Sequence, residues 1–232
     1  MGRTKHTRTT RKTRTTRKTR TTRKQRGGSP LRMSGGERLP DDAELHCFIH
    51  EQMLKGRHKQ EIKLRLKIIN EFIAASPDIR LHTDVTDEQF LILLERSIST
   101  NNLCKGELFE FSDEITSYPE PLSFALISPT DGTILGIAFI DQSSGSIFIS
   151  ILCGSKFKGV GTKLLDTVKR YATFTGFTMS LASLPSAESF YEHYGMEPQR
   201  LVKGLYKWRP PPELARARRD SNSILVEDGE KA

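Results

Sequence analysis

The hydrophobic positions of the chain change period twice. Up to about residue 40 there is almost nothing apolar to arrange: Met1 is the only apolar residue in 1–26, and "GGSPLRMSGGERLP" then reads as a flexible linker. From 41 to 100 the period is helical. Leu45, Phe48, Ile49 and Met53 predict a helix capped by Asp41 or Asp42 and closed by Gly56. Ile62, Leu66, Ile69 and Ile73 predict a second helix that stops before Pro77. Thr86 with Gln89 forms a capping-box pattern for a third, "TDEQFLILLERSIST".

Near residue 120 the period shortens to two. "LSFALIS" and "TILGIAFID" flank "PTDG", with Asp131-Gly132 as the hairpin turn. "QSSG" turns the chain again into "SIFISIL", whose alternation places Ile147, Ile149 and Ile151 on one face. A loop follows, then a helix with Val160, Leu164, Val168 and Tyr171 along one side. "FTMSLASL" reads as a strand, "SAESFYEHYG" as a short helix ending at Gly195, and "LVKGLYKW" as a last strand. The expected division is a basic arm and linker over 1–40, one domain over 41–210 with its helical part at 41–100, and a polar tail over 211–232.

Charge sharpens that division. The formal net charge is +8, yet residues 1–26 hold twelve Lys and Arg and no acid, so the remainder carries 24 basic and 28 acidic residues. The body is mildly acidic and the arm strongly basic. The arm repeats "RTTRKT" at 8–13 and 14–19, followed by "RTTRKQ", a period too short for a solenoid unit. With nothing to bury it is expected to stay disordered and to bind polyanions, nucleic acid among them, through residues 3–26. "MGRTKHTRTTRK" also resembles the start of a core histone tail at Arg3-Thr4-Lys5 and Thr7, though not at His6. That implies a tail that mimics histone or is itself acetylated.

No apolar run has the 18 or so residues that a membrane span needs. The chain opens without a secretory h-region, and His6 breaks the myristoylation pattern. Three widely spaced cysteines, Cys47, Cys104 and Cys153, predict a reducing compartment and no disulfide framework. An intracellular protein is expected, with nuclear targeting by the arm. His46 and His50 stand at i and i+4 like a metal pair, but a third ligand is wanting and no metal is expected.

The stretch "KFKGVGTKLL" at 156–165 carries the chemistry. Glycines before a helix let a backbone approach an anion, and a helix start offers free N–H groups. A Walker A loop would need lysine where Val160 stands, and a dinucleotide turn would need glycine where Leu164 stands. The remaining pattern is [QR]-x-x-G-x-[GA] between a strand and a helix, here Lys156-Phe157-Lys158-Gly159-Val160-Gly161 and then Thr162. This resembles the acetyl-CoA loop of the GNAT superfamily, the GCN5-related N-acetyltransferases, with Lys156 replacing Gln or Arg. Ala187 to Met196, "AESFYEHYGM", resembles that family's A-x-x-[LF]-Y-x-x-x-G-[FM] segment. The resemblance covers roughly 120–208.

It implies an α/β fold, with a mixed, mainly antiparallel sheet and flanking helices, and acetyl transfer from acetyl-CoA to an amine. It places the pantetheine arm along the backbone of Ile151, Leu152 and Cys153. It places the pyrophosphate on Lys158, Gly159, Val160, Gly161 and Thr162, with Lys156 and Lys158 adding charge. Tyr191 is the implied acid for the leaving thiolate. The strand before the loop supplies no acidic residue or histidine, so the base is left to solvent or to Glu107 or Glu110. Cys153 reads as a small buried strand residue rather than a nucleophile, and His193 and Tyr194 read as surface or packing groups. The alternative function is a non-catalytic nucleic-acid-binding protein with the same body and a gripping arm. A DNA-binding helix within 57–100 is disfavoured by its apolar face and the acids near 84–95.

Overall fold

The computed structural model describes residues 37–50, 59–83, 85–104, 122–143 and 145–213. The expectations for the basic arm, for Met53 and Gly56, for Glu107 and Glu110, and for the tail beyond 213 lie outside the described residues. The chain divides into two units, Met1–Ser34 and Gly35–Ala232, and every described residue belongs to the second.

The chain runs β1 (Glu44–Ile49), α1 (Lys59–Ala74), β2 (Ile79–His82), α2 (Asp87–Asn101), β3 (Leu122–Ile127), β4 (Ile134–Ser143), β5 (Ser146–Gly154), α3 (Val160–Thr175), β6 (Thr178–Ala182), α4 (Glu188–His193), β7 (Glu197–Pro198) and β8 (Leu205–Trp208). One sheet takes the order β2-β1-β3-β4-β5-β6-β8-β7. Among the described strand pairs, only β1–β2 and β5–β6 are parallel. The expected mixed, mainly antiparallel sheet with flanking helices is therefore present.

Each face of the sheet has its own apolar layer. Leu45, Cys47, Ile49, Phe124, Leu126, Ala138 and Ile140 face α1 and α3. Phe48, Ala125, Ile127, Ile134, Ile137 and Phe139 face Phe90 and Leu94 of α2. This double cover explains the first departure from expectation. The first segment of 41–56 is a strand, not a helix. "ELHCFI" is buried along nearly its whole length, so its apolar run is continuous and mimics helical spacing at Leu45, Phe48 and Ile49. The short strand β2 was not expected at all.

His46 and His50 do not share a helix, for the same reason. Residues i and i+4 of a strand share a face but stand roughly 13 Å apart. His46 instead meets His82 of β2 at 2.7 Å, and His50 meets the Ser123 hydroxyl at 2.9 Å.

Other local expectations hold. Thr86 caps α2 with the reciprocal Gln89 bond, and Asn102 closes it in the left-handed conformation. The Asp131-Gly132 turn is present, with Gly132 at φ 68° and Ser128 N–H bonded to the Thr133 carbonyl. On α3, Val160, Leu164, Val168 and Tyr171 are all at most 1% exposed. The Tyr171 hydroxyl donates to Gln142 Oε1 at 2.7 Å, which satisfies it inside the core.

The face expected for Ile147, Ile149 and Ile151 is not shared. Ile140 pairs with Ile149, yet the neighbouring Phe139 pairs with Ile151. Ser150 is thus an extra residue, a β-bulge, and it turns the rest of β5 over. Ile147 and Ile149 stay with the α1–α3 layer, while Ile151 and Cys153 join the α2 layer.

The start of α3 is seated by steric fit. A Cβ on Gly136 would overlap Val160 Cγ1, and one on Gly154 would lie 2.9 Å from it. The Val160 side chain thus fills a notch that two glycines leave open. Gly136→Ala should cost about 1–3 kcal/mol, typical of overpacking. Combining it with Val160→Ala should recover most of that loss in a double-mutant cycle of thermal melts. Additive losses would show that the notch does not seat the helix.

Candidate active site

Strands β5 and β6 are paired from Ser146–Thr178 only to Ile149–Leu181. Beyond the bulge they part. A cavity of about 330 Å³ opens between Ile149–Cys153 on one side and Leu181–Leu184 on the other, and Cys104, Ala187 and Tyr191 complete its wall. The size suits a small ligand or the end of a long one. Where two strands separate, the backbone groups that would have bonded the lost neighbour face the gap. The cavity walls therefore combine apolar side chains with a strip of polar backbone.

The expected site residues divide into two groups along this cleft. Ile151, Leu152, Cys153 and Tyr191 line the cavity directly. Lys156, Lys158, Gly159, Val160, Gly161 and Thr162 form the loop and helix start that follow β5 in sequence. Gly159 is the N-cap of α3 at φ 88°, a left-handed conformation that favours glycine, and no side chain caps the helix. Lys163 N–H bonds back to the Gly159 carbonyl, so the N–H groups of Val160, Gly161 and Thr162 precede the first helical bond. They and the helix dipole point at one place.

Gly161 has a different reason to be glycine. Its φ is not positive, and a Cβ there would meet only Phe190 Cζ at an ordinary 3.6 Å. Among the described residues nothing demands its small size. A ligand approaching the helix start would. The Ser155 hydroxyl, at the end of the strand, is buried without a hydrogen-bond partner among the described residues. Uncapped N–H groups, a spare Cβ volume and an orphaned hydroxyl together fit an anionic group with further oxygen atoms.

Two of the expected donors are already engaged. Glu37 Oε1 pairs with Lys156 Nζ at 2.9 Å, and the Glu37 carbonyl accepts the Lys158 N–H at 2.9 Å. Val160 contributes only its backbone, because its side chain is in the notch. The Thr162 hydroxyl accepts the Tyr194 hydroxyl at 2.7 Å. Tyr194 is therefore more than a packing group: it ties α4 to the start of α3.

Tyr191 is 7% exposed and its ring packs between Phe190 and Tyr206. Burial raises its pKa above the ordinary value, so its hydroxyl stays protonated at neutral pH and can donate. Its neighbour Glu192 is held by the Tyr206 hydroxyl at 3.1 Å. No acid or histidine is among the described residues that line the cavity.

Sequence reasoning missed three features here. Ser150 carries the bulge, and a serine in an isoleucine run gives no signal of it. Leu181–Leu184 form the far wall because the strands part, which depends on three-dimensional pairing. Cys104 and Cys153 are joined as a disulfide with Cα atoms 5.1 Å apart, against the expectation of no disulfide. They are 49 residues apart in sequence, and only the bulge turns Cys153 toward Cys104. The odd count and wide spacing of the three cysteines pointed away from any such pair.

No family model matches the chain, and no curated protein does. Solved structures overlap about half of it. GCN5 of Tetrahymena does so at TM-score 0.42 and 13% identity, over 54% of this chain and 89% of its own. An acyl-CoA N-acyltransferase from Pseudomonas aeruginosa does so at TM-score 0.40 and 14% identity, over 55% and 93%. A Bacillus subtilis N-acetyltransferase solved with coenzyme A, YlbP, does so at TM-score 0.33 and 11% identity, over 44% and 78%. Overlaps this slight say what those proteins are and carry no argument about this one.

Proposed function

We propose that the chain is an N-acetyltransferase that moves an acetyl group from acetyl-CoA to an amine. The observation that carries this reading is the alignment of two features on one strand. The cleft opened by the bulge runs along Ile151–Cys153, and the uncapped start of α3 follows where that strand ends. A long ligand with an extended amide arm and a diphosphate needs both, in that order.

In this reading bound acetyl-CoA supplies a thioester as the acyl donor. The β5 backbone from Ile151 to Cys153 holds the arm by strand-like hydrogen bonds, and the N–H groups of Val160, Gly161 and Thr162 hold the diphosphate. The buried apolar walls at Ile149 and Leu181 exclude water from the reacting carbon. Tyr191 places a protonated hydroxyl in the cavity, where it donates to the departing sulfur. A free lysine-type amine has a pKa near ~10.4 and must lose a proton before it attacks. That proton goes to solvent or to Glu107 or Glu110, because the described cavity wall holds no base. The acceptor is a protein amine or a small amine.

Gly161→Ala tests the anion site. Alanine is a better helix former than glycine and meets no clash at 161, so the unliganded melting temperature should be unchanged or slightly higher. Saturation of the wild type at 100 times Kd should add about 2.7 kcal/mol of stability. That corresponds to roughly 5–10 °C for a domain of this size. The variant should lose most of this gain. An unchanged melting curve for wild-type protein in acetyl-CoA overturns the reading.

Tyr191→Phe should lower kcat by a factor within the ~10²–10⁴ typical of a general acid, with acetyl-CoA affinity little changed. Full turnover in Tyr191→Phe would make this ring a wall of the cavity only.

The basic arm is proposed to bind nucleic acid through phosphates and to favour nuclear accumulation. If about six phosphates are neutralised, log K should fall against log salt with a slope of roughly −5. Deleting residues 1–26 should abolish that binding and leave acetyl-CoA affinity intact. Equal DNA affinity for the full and shortened chains would refute the assignment.

A further inference from the structure

The Cys104–Cys153 disulfide belongs to no step of the proposed transfer, yet both of its residues line the cavity. Two structural details put it there. The bulge at Ser150 turns Cys153 to the α2 face. The chain leaving α2 then bends through Asn102 at φ 51° and Cys104 at φ 53°, both left-handed, and this brings Cys104 against the same wall. The Cα separation of 5.1 Å lies inside the range that a disulfide requires. The third cysteine, Cys47, is fully buried, and burial raises its pKa, so it takes no part.

We propose that this disulfide is an acceptor for the free thiol of coenzyme A, so that spent cofactor is captured covalently in the cleft. The inference rests on the acetyl-CoA reading of the site. Acetyl-CoA carries its sulfur as a thioester and has no thiol to exchange. After transfer the product is a thiol, released inside a cavity small enough that its walls include the disulfide. In the step itself the coenzyme A thiolate attacks Sγ of Cys153 or Cys104. A new sulfur–sulfur bond forms there, and the Cys104–Cys153 bond breaks. Its electron pair leaves with the other cysteine, which takes up the proton that the attacking thiol gave up. One disulfide replaces another, so no outside oxidant is needed. The nucleotide end held on α3 raises the local concentration of the thiol, which separates this thiol from others.

The experiment uses full-length protein purified without reductant, with the bond confirmed by intact mass. It is incubated separately with coenzyme A, with acetyl-CoA and with glutathione, and read by non-reducing mass spectrometry. Coenzyme A should add the mass of one whole molecule, mapped to Cys104 or Cys153 and removed by dithiothreitol. The rate should rise with pH toward the ordinary thiol pKa of ~8.5. Acetyl-CoA should add nothing and should protect against coenzyme A. Glutathione at equal concentration should react at least tenfold more slowly. Cys104→Ser and Cys153→Ser, each leaving one unpaired thiol, should both be inert.

No adduct with coenzyme A would overturn the proposal, as would thiols that fail to bond in air. An adduct formed equally by glutathione and unaffected by acetyl-CoA would overturn it too, since it would show an accessible disulfide with no cofactor selectivity. A melting-temperature rise with acetyl-CoA in the same preparation separates these failures from failure of the acetyltransferase reading. Without that rise both fall together.

Discussion

One extra residue in one strand controls the working half of this fold. Ser150 interrupts the ladder between β4 and β5, and the strand beyond it is turned over relative to the strand before. A strand that bends and twists at a bulge cannot keep its register with both neighbours. It keeps β4, where Ile151 still pairs with Phe139 and Cys153 with Ile137, and it abandons β6 after Ile149. The lost pairing creates the cleft and exposes backbone groups along one edge, and the bulge itself aims Cys153 at Cys104. None of these would exist in a regular sheet.

The other end of the same strand is governed by volume. Gly136 and Gly154 leave a notch that Val160 fills, and this seats the first turn of α3 against β4 and β5. The loop glycines then do separate work. Gly159 is required by its left-handed backbone. Gly161 has room for a side chain among the described residues, so neither its backbone conformation nor its packing calls for glycine; the proposed anion site would. A motif that looks uniform in sequence thus contains one glycine that its backbone requires and one that it does not.

What was legible in the sequence is what local chemistry determines. The Thr86–Gln89 capping box, the Asp131-Gly132 turn and the stripe Val160–Leu164–Val168–Tyr171 each need only nearby residues, and each is found as read. The strand β1 failed because burial on both faces erases the alternation that marks a strand. β2 is four residues long, too short for a pattern to form. The cleft walls followed only in part: Ile151, Leu152, Cys153 and Tyr191 were reached through a motif resemblance, whereas Ser150, Leu181–Leu184 and Cys104 depend on pairing between distant strands.

The phosphate-loop expectation also omitted a competitor that the chain itself provides. Glu37 lies 119 residues before Lys156 in sequence, yet its carboxylate and carbonyl occupy the Lys156 ammonium and the Lys158 N–H. The pair is about half exposed on both sides, at 49% and 57%. Ion pairs of that kind are worth ~0–1 kcal/mol, because water already solvates both charges well. In the proposed reading a diphosphate would gain several charge-assisted hydrogen bonds from the helix start at once, against one such exposed pair at Lys156. Glu37 can therefore rest on the loop without blocking it. The N–H groups of Val160, Gly161 and Thr162, which Glu37 does not take, are therefore the part of the proposed anion site that it leaves open.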